Sequence, residues 1–185
     1  MPNWTTNILC VEGNTNDVQD FTNKIKATTH EQEYTILSNI VPMPPTEDED
    51  NWYEWNTTNW GTKWQDCDTI LVSSGDNSAT FRFDTAWSPP VEGIAKVSKA
   101  FPNLTFILSY QEMGMGYVGS AGYKDGLLSE CSSENITCER EEDELDMDKV
   151  FGAYEYAQII CEFGVRNEVF LLTSTPSPSA QYSNN

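Results

Sequence analysis

The sequence predicts an α+β domain, an antiparallel sheet with helices on one face. Two observations carry this. Strand-like and helix-like runs succeed one another as strand–helix, strands, helix–strand. The segments DTILVSS and ATFRFDTA also flank a Gly75-Asp76-Asn77 turn, which signals an antiparallel hairpin. At 185 residues the chain is long enough to bury a core, most simply as one domain with an appendage.

The first strand is TTNILCVEG (5–13), where Ile8, Leu9, Cys10 and Val11 precede a terminating glycine. Asn14 has the side chain of a helix N-cap. Val18, Phe21 and Ile25 follow at helical spacing, with Lys24 and Lys26 near the negative end of the helix dipole. EYTILSNIV (33–41) reads as a short strand, broken by PMPP at 42–45. An acidic run then leads into Trp52, Trp55, Trp60 and Trp64, and the spacing of the first two puts them on one face of a short helix. After the hairpin, Ser88 in WSPP is the expected cap of a helix whose apolar face is Val91, Ile94, Val97 and Phe101, with Pro102 as its stop. LTFILSY (104–110) is the most strand-like run in the chain.

QEMGMGYVG (111–119) places Gly114, Gly116 and Gly119 in the spacing G-x-G-x-x-G. A dinucleotide loop needs a helix next, so that its N-terminal amides face the pyrophosphate. YVGSAGYKDG is too rich in glycine and aromatic residues for that, and reads as a strand pair turning at Lys124-Asp125-Gly126. Residues 126–145 are polar and acidic, a loop or hairpin plus linker. A helical pattern covers 147–163, with Gly164 as its cap, and EVFLLTS reads as one last strand. The organisation expected is a core domain at 1–125, an acidic C-terminal extension at 126–173 with its helix packed on the core, and a disordered tail at 174–185.

The chain has 29 acidic and ten basic residues, a net charge of −19. Direct nucleic-acid binding needs a basic footprint, which the diluted lysines and arginines do not form. Such an acidic surface steers toward basic partners instead. No run of about 20 apolar residues offers a membrane span. The N-terminus lacks a secretory pattern, so the expected location is the cytoplasm and the four N-x-[ST] sequons are read as chance matches. Five cysteines at scattered spacing (Cys10, Cys67, Cys131, Cys138, Cys161) suit a reducing compartment, with Cys10 and Cys161 as packing residues. Without a C-x-x-C pair, and with His30 the single histidine, no structural zinc site is expected.

The motifs MPNW, IVPMPP, NWGTKW, FDTAWSPP, FPNLTFILSY and GMGYVG occur in this order across about residues 1–125. On these the chain resembles the YubB-type ferredoxin-like family of phages, prophages and conjugative plasmids. The resemblance implies a ferredoxin-like core and a mobile-element origin, and brings little biochemistry. The family's usual cysteine after MPNW is Thr5 here, which argues against a shared thiol or metal role.

Trp52, Trp55, Trp60, Trp64 and Trp87 have two readings. One is an aromatic binding surface; the other is core packing beside the turn residues Gly61, Pro89 and Pro90. Residues 144–155 imitate a calcium loop, with Glu144, Asp146, Asp148 and Glu155 at positions one, three, five and twelve. Lys149 stands where the sharp turn requires glycine, so these acids read as a helix N-terminus. No nucleophile, metalloprotease or phosphate-loop motif occurs. The function expected is therefore a non-enzymatic, cofactor-free phage or mobile-element protein that binds a basic host protein, in the manner of a nucleic-acid mimic. Its partner-binding residues are Glu47, Asp48, Glu49, Asp50, Trp52 and Trp55, with Glu141, Glu142, Asp143, Glu144, Asp146 and Asp148. The alternative reading of those acidic runs is solvated loops that confer solubility. The alternative function is a small-molecule or nucleotide sponge.

Overall fold

A computed structural model describes residues 3–27, 33–45, 51–112 and 114–135. Strand β1 (Trp4–Glu12) leads into helix α1 (Thr15–Lys24) and the short helices α2 (Leu37–Ile40) and α3 (Trp52–Asn59). The hairpin β2 (Cys67–Ser74) and β3 (Ser78–Ala86) follows, then α4 (Val91–Ala100) and β4 (Thr105–Glu112). Strands β5 (Tyr117–Lys124) and β6 (Leu127–Asn135) end the described chain. The sheet order is β2-β3-β1-β4-β5-β6, antiparallel throughout. The first four strands with α1 and α4 form the split β-α-β-β-α-β arrangement of a ferredoxin-like fold, and β5 and β6 widen it at one edge.

Strand periodicity sends alternate side chains to opposite faces. Leu9 is registered with Phe81 and Leu108, and Leu108 with Ala121, so these residues align across four strands. Phe21 of α1 stands edge-on to Phe81 and Phe106, with ring centroids 5.9 and 5.4 Å away. Ile25, Leu37, Ile94 and Val97 complete this core. Asn14 caps α1 by accepting the Asp17 amide, as its position predicts. The β5–β6 turn carries positive φ at Asp125 (50°) and Gly126 (77°), the mirror-type hairpin turn that an Asp-Gly pair favours.

The run at 33–41 does not form the expected strand. It makes one bridge, Lys26 to Tyr34, and then enters α2. Asp66, fully buried, explains the change: its carboxylate accepts the amides of Ile36 and Leu37, each at 2.8 Å, and the Thr69 hydroxyl at 2.6 Å. A distant side chain thus supplies the cap that the local sequence lacks. Ser88 does not cap α4, whose N-cap is Pro90; its hydroxyl donates to the Gly61 carbonyl at 2.6 Å. Cys10, read from the sequence as a reduced packing thiol, is disulfide-bonded. His30, the acidic runs at 47–50 and 139–148, the 147–163 helical pattern and the tail lie outside the described residues. No described helix is long and apolar enough to cross a membrane.

Candidate functional site

The register Trp4–Ala86 places the start of β1 beside the end of β3, and Trp87 follows immediately. The loop after α3 brings Lys63 and Trp64 to the same end of the sheet. Trp4 and Trp64 lie 6.1 Å apart between ring centroids. The Lys63 ammonium sits 4.8 Å from the Trp64 ring centre and 4.3 Å from that of Trp87. Such cation–π contacts hold the rings together although Trp4 and Trp87 are 42% and 45% exposed.

Trp87 adopts φ 74°, a left-handed conformation that bulky residues rarely take. Its neighbours impose it. The Trp87 amide donates to the Asn3 carbonyl at 2.9 Å, and the Trp87 carbonyl accepts the Tyr117 hydroxyl at 3.1 Å. Thr62 donates to the Ala86 carbonyl and Thr85 to the Ser88 carbonyl, tying down both flanks. Strain of this kind costs roughly 1–3 kcal/mol and persists only where the surroundings over-determine it.

Of the two tryptophans expected to bind a partner, Trp52 is at the surface, 37% exposed, and Trp55 is half-buried and edge-on to Trp60 at 5.3 Å. Trp60 is core: it is 5% exposed and its indole N–H donates to the Val41 carbonyl at 2.9 Å. Of the two readings that the sequence leaves open for Trp87, its exposure excludes core packing, and Lys63 and Trp4 carried no expectation in the sequence. The signal available was the lysine inside NWGTKW, between two aromatic residues.

Beside this surface, Met43, Trp52, Asn56, Trp60, Trp64, Gln65 and Cys67 line a cavity of about 440 Å³. Asn56 donates to the Lys63 carbonyl at 2.9 Å, and its side-chain oxygen is buried without a hydrogen-bond partner. Burial and then the Asp66, Asp68 and Asp84 carboxylates push the Cys67 thiol up, which disfavours the thiolate. Among the described residues no group of three acidic, cysteine or histidine side chains is placed to hold a metal ion.

The glycine loop is also occupied by its own chain. The buried Glu112 carboxylate accepts the amides of Gly114, at 2.8 Å, and Met115, and strand β5 follows instead of a helix. Amides already bonded to a carboxylate are not a phosphate cradle.

A family model described as the ferredoxin-like domain in Api92-like protein matches residues 59–151, just over half of the chain. The chain belongs to this family. The match to the Api92-like domain begins at Asn59, so it includes Lys63, Trp64, Trp87 and Glu112, whereas Trp4 and Trp52 precede it. The fold is also similar to the crystal structure of protein api92 from Yersinia pseudotuberculosis, at 19% identity and a TM-score of 0.47. That similarity covers 57% of this chain and 42% of that one, so the match spans less than half of the api92 chain. No curated protein matches the sequence.

Proposed function

We propose that this Api92-like chain is a non-enzymatic interaction protein of a phage or mobile element. It binds a basic host protein of defence or DNA processing through the Trp4–Trp64–Trp87 surface. The observation that carries the reading is Trp87, a large ring left exposed on a strained backbone that four neighbouring groups hold in place. Tryptophan is favoured at binding hot spots, and arginine stacks well on its face. The net charge of −19, to which the acidic runs at 47–50 and 141–148 contribute, steers a basic partner toward the chain and competes as DNA would.

The test is affinity capture of the partner from host cells, followed by binding measurements with Trp4→Ala/Trp87→Ala. Loss of binding with a retained melting temperature supports the aromatic surface. Binding that is unchanged by this pair, and also by neutralising Glu141, Glu142 and Asp143, rejects the reading.

The cavity under Trp52 and Trp64 favours a second reading, a small-molecule or nucleotide binder, with the Asn56 oxygen as acceptor. A thermal-shift screen with nucleotides separates the two. A ligand at 100 times its Kd stabilises by about 2.7 kcal/mol.

A further inference from the structure

The sheet has a second face, turned away from the described helices. The buried residues of α1, α2 and α4 that reach the core all join the single cluster on the Leu9 side. Cys10 and Val118 point the other way and stand outside that cluster, yet they are only 2% and 9% exposed. Ile107, registered with Cys10, lies between them and is half-buried. Something covers the middle of this face.

We propose that the cover is the chain's own 147–163 segment, with Cys161 as the disulfide partner of Cys10. The strand register decides among the cysteines. Cys67 is free. Cys131 lies on β6, three strands from β1. At about 4.8 Å per strand that is about 14 Å, twice the Cα separation that a disulfide spans.

Cys138 follows the end of β6 by three residues. Asn135 pairs with Tyr117, and Tyr117 with Glu112, five positions along the strands from the Ile107 row that holds Cys10. Five positions are about 17 Å, and three strands are about 14 Å, so Asn135 and Cys10 are about 22 Å apart. Three extended residues reach about 11 Å. A disulfide adds at most about 7 Å, which leaves Cys138 short. Cys161 has 26 residues in which to return.

The sequence of that segment suits the face. Met147, Val150, Tyr154, Ala157 and Cys161 recur at intervals of three or four, one apolar stripe of a helical pattern that carries the cysteine itself. The half-covered Ile8 and Ile107, with the buried Val118, give this stripe an apolar seat.

The full chain tests this in two ways. In the first, it is oxidised with glutathione disulfide, which takes up two electrons and the two cysteine protons and leaves as two thiols. Digestion without reduction, followed by mass spectrometry, should return the Cys10 peptide joined to the Cys161 peptide. Cys10 joined to Cys131, to Cys138 or to a second chain overturns the proposal.

The second test uses reduced protein, so that packing is read apart from the covalent bond. Alkylation of Cys10 should be slow in the parent and should rise at least to the rate of half-buried Cys67 in Val150→Asp/Tyr154→Asp. Unchanged protection of Cys10 in that variant, with the domain still folded, overturns it. If the variant does not fold, the peptide mapping decides alone.

Discussion

Tryptophans of one sequence region have opposite fates, and the difference is measurable residue by residue. Trp60 is closed into the core and donates to Val41, so Trp60→Ala should cost about 3–5 kcal/mol, a cavity-scale loss. Trp87→Ala leaves the core intact and forfeits the Lys63 contact, worth about 0.5–1 kcal/mol at an exposed site. Chemical denaturation of the two variants should therefore show a large shift for the first and a small one for the second. Asp66 sets a second test. Its two oxygens take three donors, so an amide at this position leaves at least one buried donor without an acceptor. Asp66→Asn should cost about 1–3 kcal/mol. Burial outweighs these donors and raises the Asp66 carboxyl above the usual range. A raised folded-state pKa gives a contribution that is full below about pH 4 and lost as the pH climbs through the raised value. The parent's advantage in melting temperature over Asp66→Asn should thus be widest in acid and narrow toward neutral pH.

At the scale of elements, α4 is positioned by how closely it approaches the tryptophan-bearing loop. A Cβ on Gly93 would meet Leu37 Cδ2 at 2.7 Å and the Trp60 carbonyl oxygen at 3.2 Å. Alanine gains about 1 kcal/mol of helix propensity over glycine, but overpacking against a backbone that cannot yield costs about 1–3 kcal/mol. Gly93→Ala should therefore destabilise the protein, and it should also disturb the Trp60 environment seen in near-ultraviolet circular dichroism. The β4–β5 connection depends on one carboxylate in a similar way. Glu112→Gln keeps one acceptor for two amides, so hydrogen exchange at Gly114 and Met115 should quicken while the core strands keep their protection.

For the whole molecule, charge and aromatic surface make separable predictions. A net charge of −19 implies long-range attraction to a basic partner, and the Debye length falls toward about 8 Å at physiological ionic strength. Association should therefore slow as salt rises. Neutralising Glu141, Glu142 and Asp143 should flatten that dependence, whereas removing Trp87 should speed dissociation and leave the salt dependence in place. Salt-insensitive association would leave the aromatic surface as the source of affinity without electrostatic steering.

The amino-acid sequence by itself determined the features that arise within a few residues. The Asn14 cap, the apolar face of α4, the Asp125-Gly126 turn and the paired strands of the hairpin all depend on neighbours in the chain, whose spacing is visible in any reading. The strand–helix order that follows from them is enough for the α+β class with an antiparallel sheet, whereas the ferredoxin-like arrangement was implied by the family resemblance of the motifs. Only the tertiary structure decided what depends on residues far apart. The strand expected at 33–41 became α2 because Asp66, about thirty positions on, satisfies its first amides. Trp87 became surface because Asn3, Thr62 and Tyr117 converge on its backbone segment. Trp60 became core because it packs beneath α4 with its indole N–H on the distant Val41 carbonyl. Burial is a property of where the packed sheet and helices leave space, and a tryptophan carries the same local signal on either side of that boundary.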